Sequence, residues 1–285
     1  MSVEAFSLSS LSSFFIVIIS LLTHPSASAP DSFVYGGCSR LKYAQGSPYE
    51  SNVNSILTSV VNSASISIYN NFKIAVPGSS QNDVVYGLFQ CRGDLSSSDC
   101  RDCVARSVSQ LGVLCAASTG GALQLDGCFV KYDNTSFLGV EDKTVVFKRC
   151  GPPIGYDSDS LTRRDGMLAY LAAGGQFYRV GGSGNVQGVV QCVQDLSVSK
   201  CQDCISEAIG RLRSDCGSAA WGDMFLSKCY ARYSERGDYS KRDSNDEDND
   251  TERTLAILIG VIAVVAFVVI FLSFLLKKIE KKGGK

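Results

Sequence analysis

The residues with the most chemistry to offer are cysteines. Two Cys-x2-Cys pairs, Cys100/Cys103 and Cys201/Cys204, have a spacing compatible with zinc ligation, with a redox dithiol, or with structural disulfides. They belong to a larger pattern. Cys91, Cys100, Cys103, Cys115 and Cys128 recur 101 residues later as Cys192, Cys201, Cys204, Cys216 and Cys229, with intervals of 9, 3, 12 and 13 in both copies. Cys38 and Cys150 precede one copy each, so twelve cysteines divide into six and six. The even count, the repeated geometry and a secretory leader point to disulfides in an oxidising compartment. Six cysteines per repeat allow 15 pairings, and spacing alone does not choose among them.

Other catalytic equipment is sparse. His24 is the only histidine and lies in the apolar leader, so the mature chain has no Ser-His-Asp or Cys-His nucleophile and no histidine metal ligand. Asp94 and Asp102 are the nearest thing to a carboxylate pair, but both sit in the cysteine motif, where turns and caps use such residues. Gly181-Gly182-Ser183-Gly184 is short, lies between strand-like segments, and reads as a hairpin turn rather than a phosphate loop. No catalytic, cofactor-binding or metal-binding residue is expected, and no nucleic-acid partner. Asn134-Thr135-Ser136 is the better of two glycosylation sequons; Asn249 stands close to an apolar span.

The elements that must position these residues repeat as well. Val53, Ile56, Leu57, Val60, Val61 and Ala64 fall at helical spacing within 49–72, and Val84 to Cys91 reads as a strand. Ser96 to Ser98 can cap a second helix whose Cys100, Cys103, Val104, Val108 and Leu111 share a face. Ala122 to Leu125, Asp126-Gly127 and Phe129 to Tyr132 suggest a hairpin, and Thr144 to Lys148 a strand closing the first repeat. The second repeat follows the same plan, its first helix running from about Ser160 to Ala173 and stopping at Gly174-Gly175. The fold class expected is α+β: two tandem disulfide-rich domains, each an antiparallel sheet packed against two helices, plus one transmembrane helix.

The termini set the compartment. Phe14 to Leu22 is apolar and leads to Ala27-Ser28-Ala29, a secretory signal with an A-x-A cleavage site. Leu255 to Leu276 is 22 residues without a charge, enough to cross a bilayer core of ~30 Å as a helix. Asp243 to Glu252 holds six acids and no base, whereas Lys277 to Lys285 holds five lysines, so the repeats are expected outside and the tail in the cytosol. The expected organisation is a signal peptide at 1–29, domains at 30–139 and 140–240, an acidic linker at 241–253, a transmembrane helix at 254–276 and a tail at 277–285. Ala256-x3-Gly260 is a small-residue pair that would let two such helices approach.

The Cys-x8-Cys-x2-Cys signature, with Gln90-Cys91-x2-Asp94-Leu95-Ser96 echoed by Gln191-Cys192-x2-Asp195-Leu196-Ser197, resembles the plant Gnk2-homologous domain, also called the stress-antifungal or DUF26 domain. Two such domains, one span and a short tail without a kinase resemble the plasmodesmata-located protein family. The resemblance implies the pairings Cys38–Cys115, Cys91–Cys100, Cys103–Cys128, Cys150–Cys216, Cys192–Cys201 and Cys204–Cys229. Single-domain relatives bind mannose through an Asn, an Arg and a Glu. The corresponding places here hold Ser39, Ala122 and Asp133 in the first repeat and Gly151, Asp223 and Ser234 in the second. Mannose binding through that triad is therefore not expected, because a lost Arg removes the fork of donors that grips a hydroxyl pair.

The resemblance further implies a non-enzymatic type I membrane protein at plasmodesmata, modulating cell-to-cell traffic through callose deposition and defence signalling. Its partners would be the membrane itself and lateral membrane proteins such as receptor-like kinases or callose synthase complexes, with homo- or hetero-oligomers allowed. The competing expectation is a cell-surface lectin-like sensor of wall or microbial glycans.

Overall fold

A computed structural model describes residues 30–75, 84–154 and 158–235. The leader at 1–29 with His24, the acidic linker, the span at 254–276 and its Ala256-x3-Gly260 pair, the tail and Asn249 lie outside the described residues. Among the described residues no helix is long and apolar enough to cross a membrane.

The first domain contains β1 (Phe33–Cys38), α1 (Pro48–Ser63), β2 (Tyr69–Ile74), β3 (Val85–Cys91), α2 (Ser97–Leu114), β4 (Gly120–Leu125) and β5 (Cys128–Asp133). The second repeats the order with β6 (Val145–Cys150), α3 (Ser158–Ala172), β7 (Tyr178–Ser183), β8 (Val186–Cys192), α4 (Val198–Cys216), β9 (Trp221–Leu226) and β10 (Cys229–Glu235). Each set forms a five-stranded antiparallel sheet, ordered β1-β4-β5-β3-β2 and β6-β9-β10-β8-β7.

The helices start where their caps dictate. Ser96 accepts from Asp99 N at 3.2 Å to open α2, and Ser197 accepts from Lys200 N at 3.3 Å to open α4. Pro48 sits at the first turn of α1, where its missing N–H costs nothing. Along α4, Cys201, Cys204, Ile205, Ala208, Ile209 and Leu212 line one buried stripe. That stripe covers the sheet residues Val190, Met224, Ala231 and Tyr233.

Two sequence expectations are corrected. The helix expected within 49–72 ends at Ser63, because Tyr69 to Ile74 alternates exposed and half-buried residues and pairs with β3 as an edge strand. Thr144 to Lys148 does not close the first repeat. Its strand, β6, is the edge of the second sheet and pairs with β9, the place that β1 takes beside β4 in the first.

Each sheet keeps its helices on one face. The opposite faces meet, joining Leu88, Phe129 and Val193 with Tyr35, Tyr69, Ala122, Phe137 and Leu138 in one apolar cluster that draws on both repeats. Tyr35 of β1 touches Phe129 of its own sheet and, edge-on, Phe225 of the other, with ring centroids 6.0 Å apart. The period-2 alternation of strands explains this arrangement. Phe89 and Cys91 enter the first core, while Leu88 and Gln90 face the other domain.

Candidate functional site

All twelve cysteines are bonded, in the pairs Cys38–Cys115, Cys91–Cys100, Cys103–Cys128, Cys150–Cys216, Cys192–Cys201 and Cys204–Cys229. Neither Cys-x2-Cys pair closes on itself. Cys91–Cys100 and Cys192–Cys201 each tie a strand end to the first turn of the following helix. Cys103–Cys128 and Cys204–Cys229 tie the next turn to the neighbouring strand. The thiolates that zinc ligation or dithiol exchange would require are consumed.

The charged residues gather between the domains instead. Asp126, in the β4–β5 turn, bonds Arg92 of its own repeat and Arg232 Nη1 of β10, the latter at 2.6 Å. Arg232 Nε reaches on to Asp223 at 2.9 Å, and Arg92 Nε to Asp94 at 2.7 Å. Four carboxylate–guanidinium contacts thus run in an unbroken line from one repeat to the other. At Asp94, burial opposes the charge, but the hydrogen bond and charge of Arg92 outweigh it and hold the carboxyl below the usual carboxylate range. Asp102 is not part of the line; it is exposed, with Arg101 at 3.9 Å.

Glutamines close the same seam. Gln191 Nε2 donates to Cys91 O at 2.8 Å, Gln90 Oε1 accepts from Gln194 N at 3.1 Å, and Tyr230 Oη donates to Gln191 Oε1 at 3.0 Å. Tyr178 of β7 packs so closely over Gly93 that a Cβ there would stand 2.5 Å from the ring, so only glycine fits. The cavity left in the seam measures about 20 Å³, room for a single water and no organic ligand.

A second charged cluster pins the linker between the repeats. Lys228 and Asp195 form an ion pair with both side chains 2% exposed. Lys228 Nζ also donates to Phe137 O at 3.0 Å and lies 5.1 Å from the Phe137 ring centroid. Gly139 N donates to Asp195 Oδ2 at 3.0 Å, and Lys200 Nζ donates to Gly139 O at 2.8 Å. Burial pulls the Lys228 ammonium below the ordinary lysine value, against the hydrogen bond it donates to Asp195. Sequence reasoning missed this cluster. Its signal was the departure from repetition: Gly127 of the first repeat becomes Lys228 in the second, beside an aspartate that both copies share.

The mannose-triad places are occupied by other work. Ser39 Oγ accepts from Leu41 N and Thr119 Oγ1, and Ala122 packs into the cluster between the sheets. Asp133 Oδ1 accepts from Thr135 N at 2.9 Å. In the second repeat Gly151 lies under Trp221, where a Cβ would stand 2.4 Å from the indole nitrogen. Asp223 is held by Arg232, and Ser234 is fully buried, its Oγ donating to Glu235 O at 2.9 Å. Asn134 lies in the turn after β5, half-buried, with Thr135 and Ser136 exposed beside it.

Comparison with known proteins places this geometry. The family described as salt stress response/antifungal matches residues 37–135 and 158–236. Among curated proteins of Arabidopsis thaliana, the chain is 61% identical to plasmodesmata-located protein 6, across 95% of this chain and 97% of the relative. It is 43% identical to plasmodesmata-located protein 5 across 94% of each. The solved tandem DUF26 ectodomain of the cysteine-rich receptor-like protein PDLP5 superposes with a TM-score of 0.68 at 49% identity, covering 72% of this chain and all of that one. That of PDLP8 superposes with a TM-score of 0.69 at 43% identity, over 73% of this chain and all of that one.

Proposed function

The chain belongs to the salt stress response/antifungal (DUF26) family and, within it, to the plasmodesmata-located proteins, and on that premise we propose a non-enzymatic regulator of cell-to-cell traffic at plasmodesmata. It is a type I membrane protein, anchored by residues 254–276 with both repeats outside, and acts through callose deposition and defence signalling. The observation that carries this reading is the 61% identity to plasmodesmata-located protein 6 across 95% of this chain and 97% of that one. The absence of catalytic work is supported by the fate of the polar groups. The cysteines are bonded, the seam carboxylates are tied to guanidiniums, and the seam void admits only water. Output then passes through lateral partners rather than through a reaction.

Targeting is expected to depend on the span. Replacing Leu255 to Leu276 by an unrelated apolar helix of equal length keeps hydrophobicity and the lysine flank, so insertion and topology should persist. Live imaging of a fluorescent fusion beside a callose stain should show the swapped chain dispersed over the plasma membrane and traffic unrestricted. Puncta that persist beside callose would move the address into the repeats and favour a lectin-like sensor.

The occupied triad carries a second expectation. Calorimetric titration of the ectodomain with mannose should show no heat of binding up to millimolar ligand. Saturable binding at that range would mean that a sugar displaces Arg232 from Asp223 or finds another surface.

A further inference from the structure

The duplication supplies an internal control that exposes one difference between the helix layers. A Cβ at Gly87 would strike Ile56, and one at Gly188 would strike Met167, so α1 and α3 lie in equivalent places, with Asn54 corresponding to Asp165 and Leu57 to Leu168. Gly112 and Val108 of α2 correspond, by the 101-residue repeat, to Arg213 and Ile209 of α4. In the second domain Arg213 crosses the furrow between the helices, donating from Nη2 to Asp165 O at 2.9 Å with its Nε 3.7 Å from Asp165 Oδ1. Beneath that clasp Leu168 and Ile209 are fully buried.

In the first domain both charges of the clasp are missing, the guanidinium at Gly112 and the carboxylate at Asn54. Gly112 offers no side chain and has nothing within 4 Å of where a Cβ would stand, and Asn54 is exposed. The result is an open furrow of about 570 Å³ over a partly buried floor of Leu57, Val61 and Val108. Val113, next to Gly112, is 84% exposed.

Charge decides what can cover such a furrow. No charged residue occurs between Ser51 and Phe72, so α1 presents a neutral face over its whole length beyond Glu50. Glu50 continues the furrow stripe of Asn54, Leu57 and Val61 at helical spacing, and Arg101 continues that of Ala105, Val108 and Gly112. The helices are antiparallel, since Tyr49 at the start of α1 bonds Thr119 O beyond the end of α2, while Ser67 O, past α1, lies 3.7 Å from Cys100 Sγ at the start of α2. Glu50 and Arg101 therefore mark opposite ends of one neutral, apolar-floored furrow.

We propose that this furrow is a self-association surface: two copies of the chain meet furrow to furrow about a two-fold axis that sets the Glu50 end of one against the Arg101 end of the other. A neutral face meets its own copy without like-charge repulsion, and of the two ways to align the furrows only the antiparallel one pairs opposite charges. Two helix faces bury less than the ~800 Å² per partner of a standard stable interface. The contact is thus weak in free solution and effective between chains held in one membrane by the span proposed above.

The test uses the full-length chain in membranes, reading energy transfer between donor- and acceptor-tagged copies. Asn54→Asp with Gly112→Arg transplants the clasp of the second domain and should lower transfer to the level of an unrelated membrane protein. Glu50→Arg alone and Arg101→Glu alone should each weaken it severalfold. Mixing the Glu50→Arg chain with the Arg101→Glu chain restores both cross-contacts and should restore transfer. The proposal is overturned if wild-type copies show no transfer, if the clasped variant associates as the wild type does, or if the mixed pair is no better than either single variant. Because none of these readouts depends on subcellular position, they fail independently of the plasmodesmal assignment.

Discussion

Asp195→Ala is expected to destabilise the ectodomain by about 3–5 kcal/mol, the usual effect of removing one partner from a buried ion pair. Lys228 would be left 2% exposed with a carbonyl and an aromatic ring for company, and Gly139 N would lose its acceptor. For an ectodomain of this size that corresponds to a melting temperature lower by roughly 6–20 °C. Lys228→Met should cost a comparable amount, since it leaves the carboxylate stranded. The double variant should recover much of the loss, because an apolar pair no longer needs burying as charge. A thermal or denaturant melt of the four proteins completes the cycle. Additive losses would show that the two side chains are not coupled and that the linker is held by something else.

Cys103→Ala is the second large effect. The bond to Cys128 spans a separation of 25 residues, for which the chain-entropy relation gives roughly 3.5 kcal/mol of stabilisation. The partner thiol would be left buried beside Ser107 Oγ, 3.3 Å away, and free to mispair during oxidation. Against a typical stability of ~5–15 kcal/mol this should retain the chain in the secretory pathway, visible as loss of surface signal. Removing Cys128 as well eliminates mispairing but not the entropic loss. If the double variant melts with the wild type, the bond contributes nothing to stability. Mass spectrometry of the unreduced wild-type ectodomain should find six bonds within repeats and no free thiol; bound zinc would contradict the pairing.

The repeat, the two strands that precede the cysteine motif, both long helices and the β4–β5 hairpin were legible because each carries its own local signal. Period-2 and 3.6-residue patterns, serine caps and an Asp-Gly turn act within a few residues. The edge strands were not. Phe33 to Cys38 contains two glycines and is mostly exposed, and Tyr69 to Ile74 follows an apolar helix with no glycine or proline between them to mark the break. Such strands are specified by the partner whose backbone they complete, not by their own composition. The seam was illegible for a related reason. Asp94 and Asp195 share one motif, yet one bonds Arg92 and the other Lys228, because the variable positions differ: Arg92 within the motif becomes Val193, and Gly127 beyond it becomes Lys228. Asp223 could be noted as a departure from the mannose triad, but its commitment to Arg232 and through it to Asp126 depends on strands brought together from both repeats.

The face that joins the two sheets also gives the molecule a history each time it is made. Tyr35, Leu88 and Phe129 are synthesised in the first repeat, whereas their covers, Val193 and Phe225, arrive about one repeat later. At ~5–20 residues per second the first domain waits on the order of 5–20 s with an aromatic surface uncovered. During that interval its own three disulfides can close, since none requires the second repeat. A nascent chain paused between the repeats can thus hold every covalent bond of its first domain while the face meant for its twin is still adhesive.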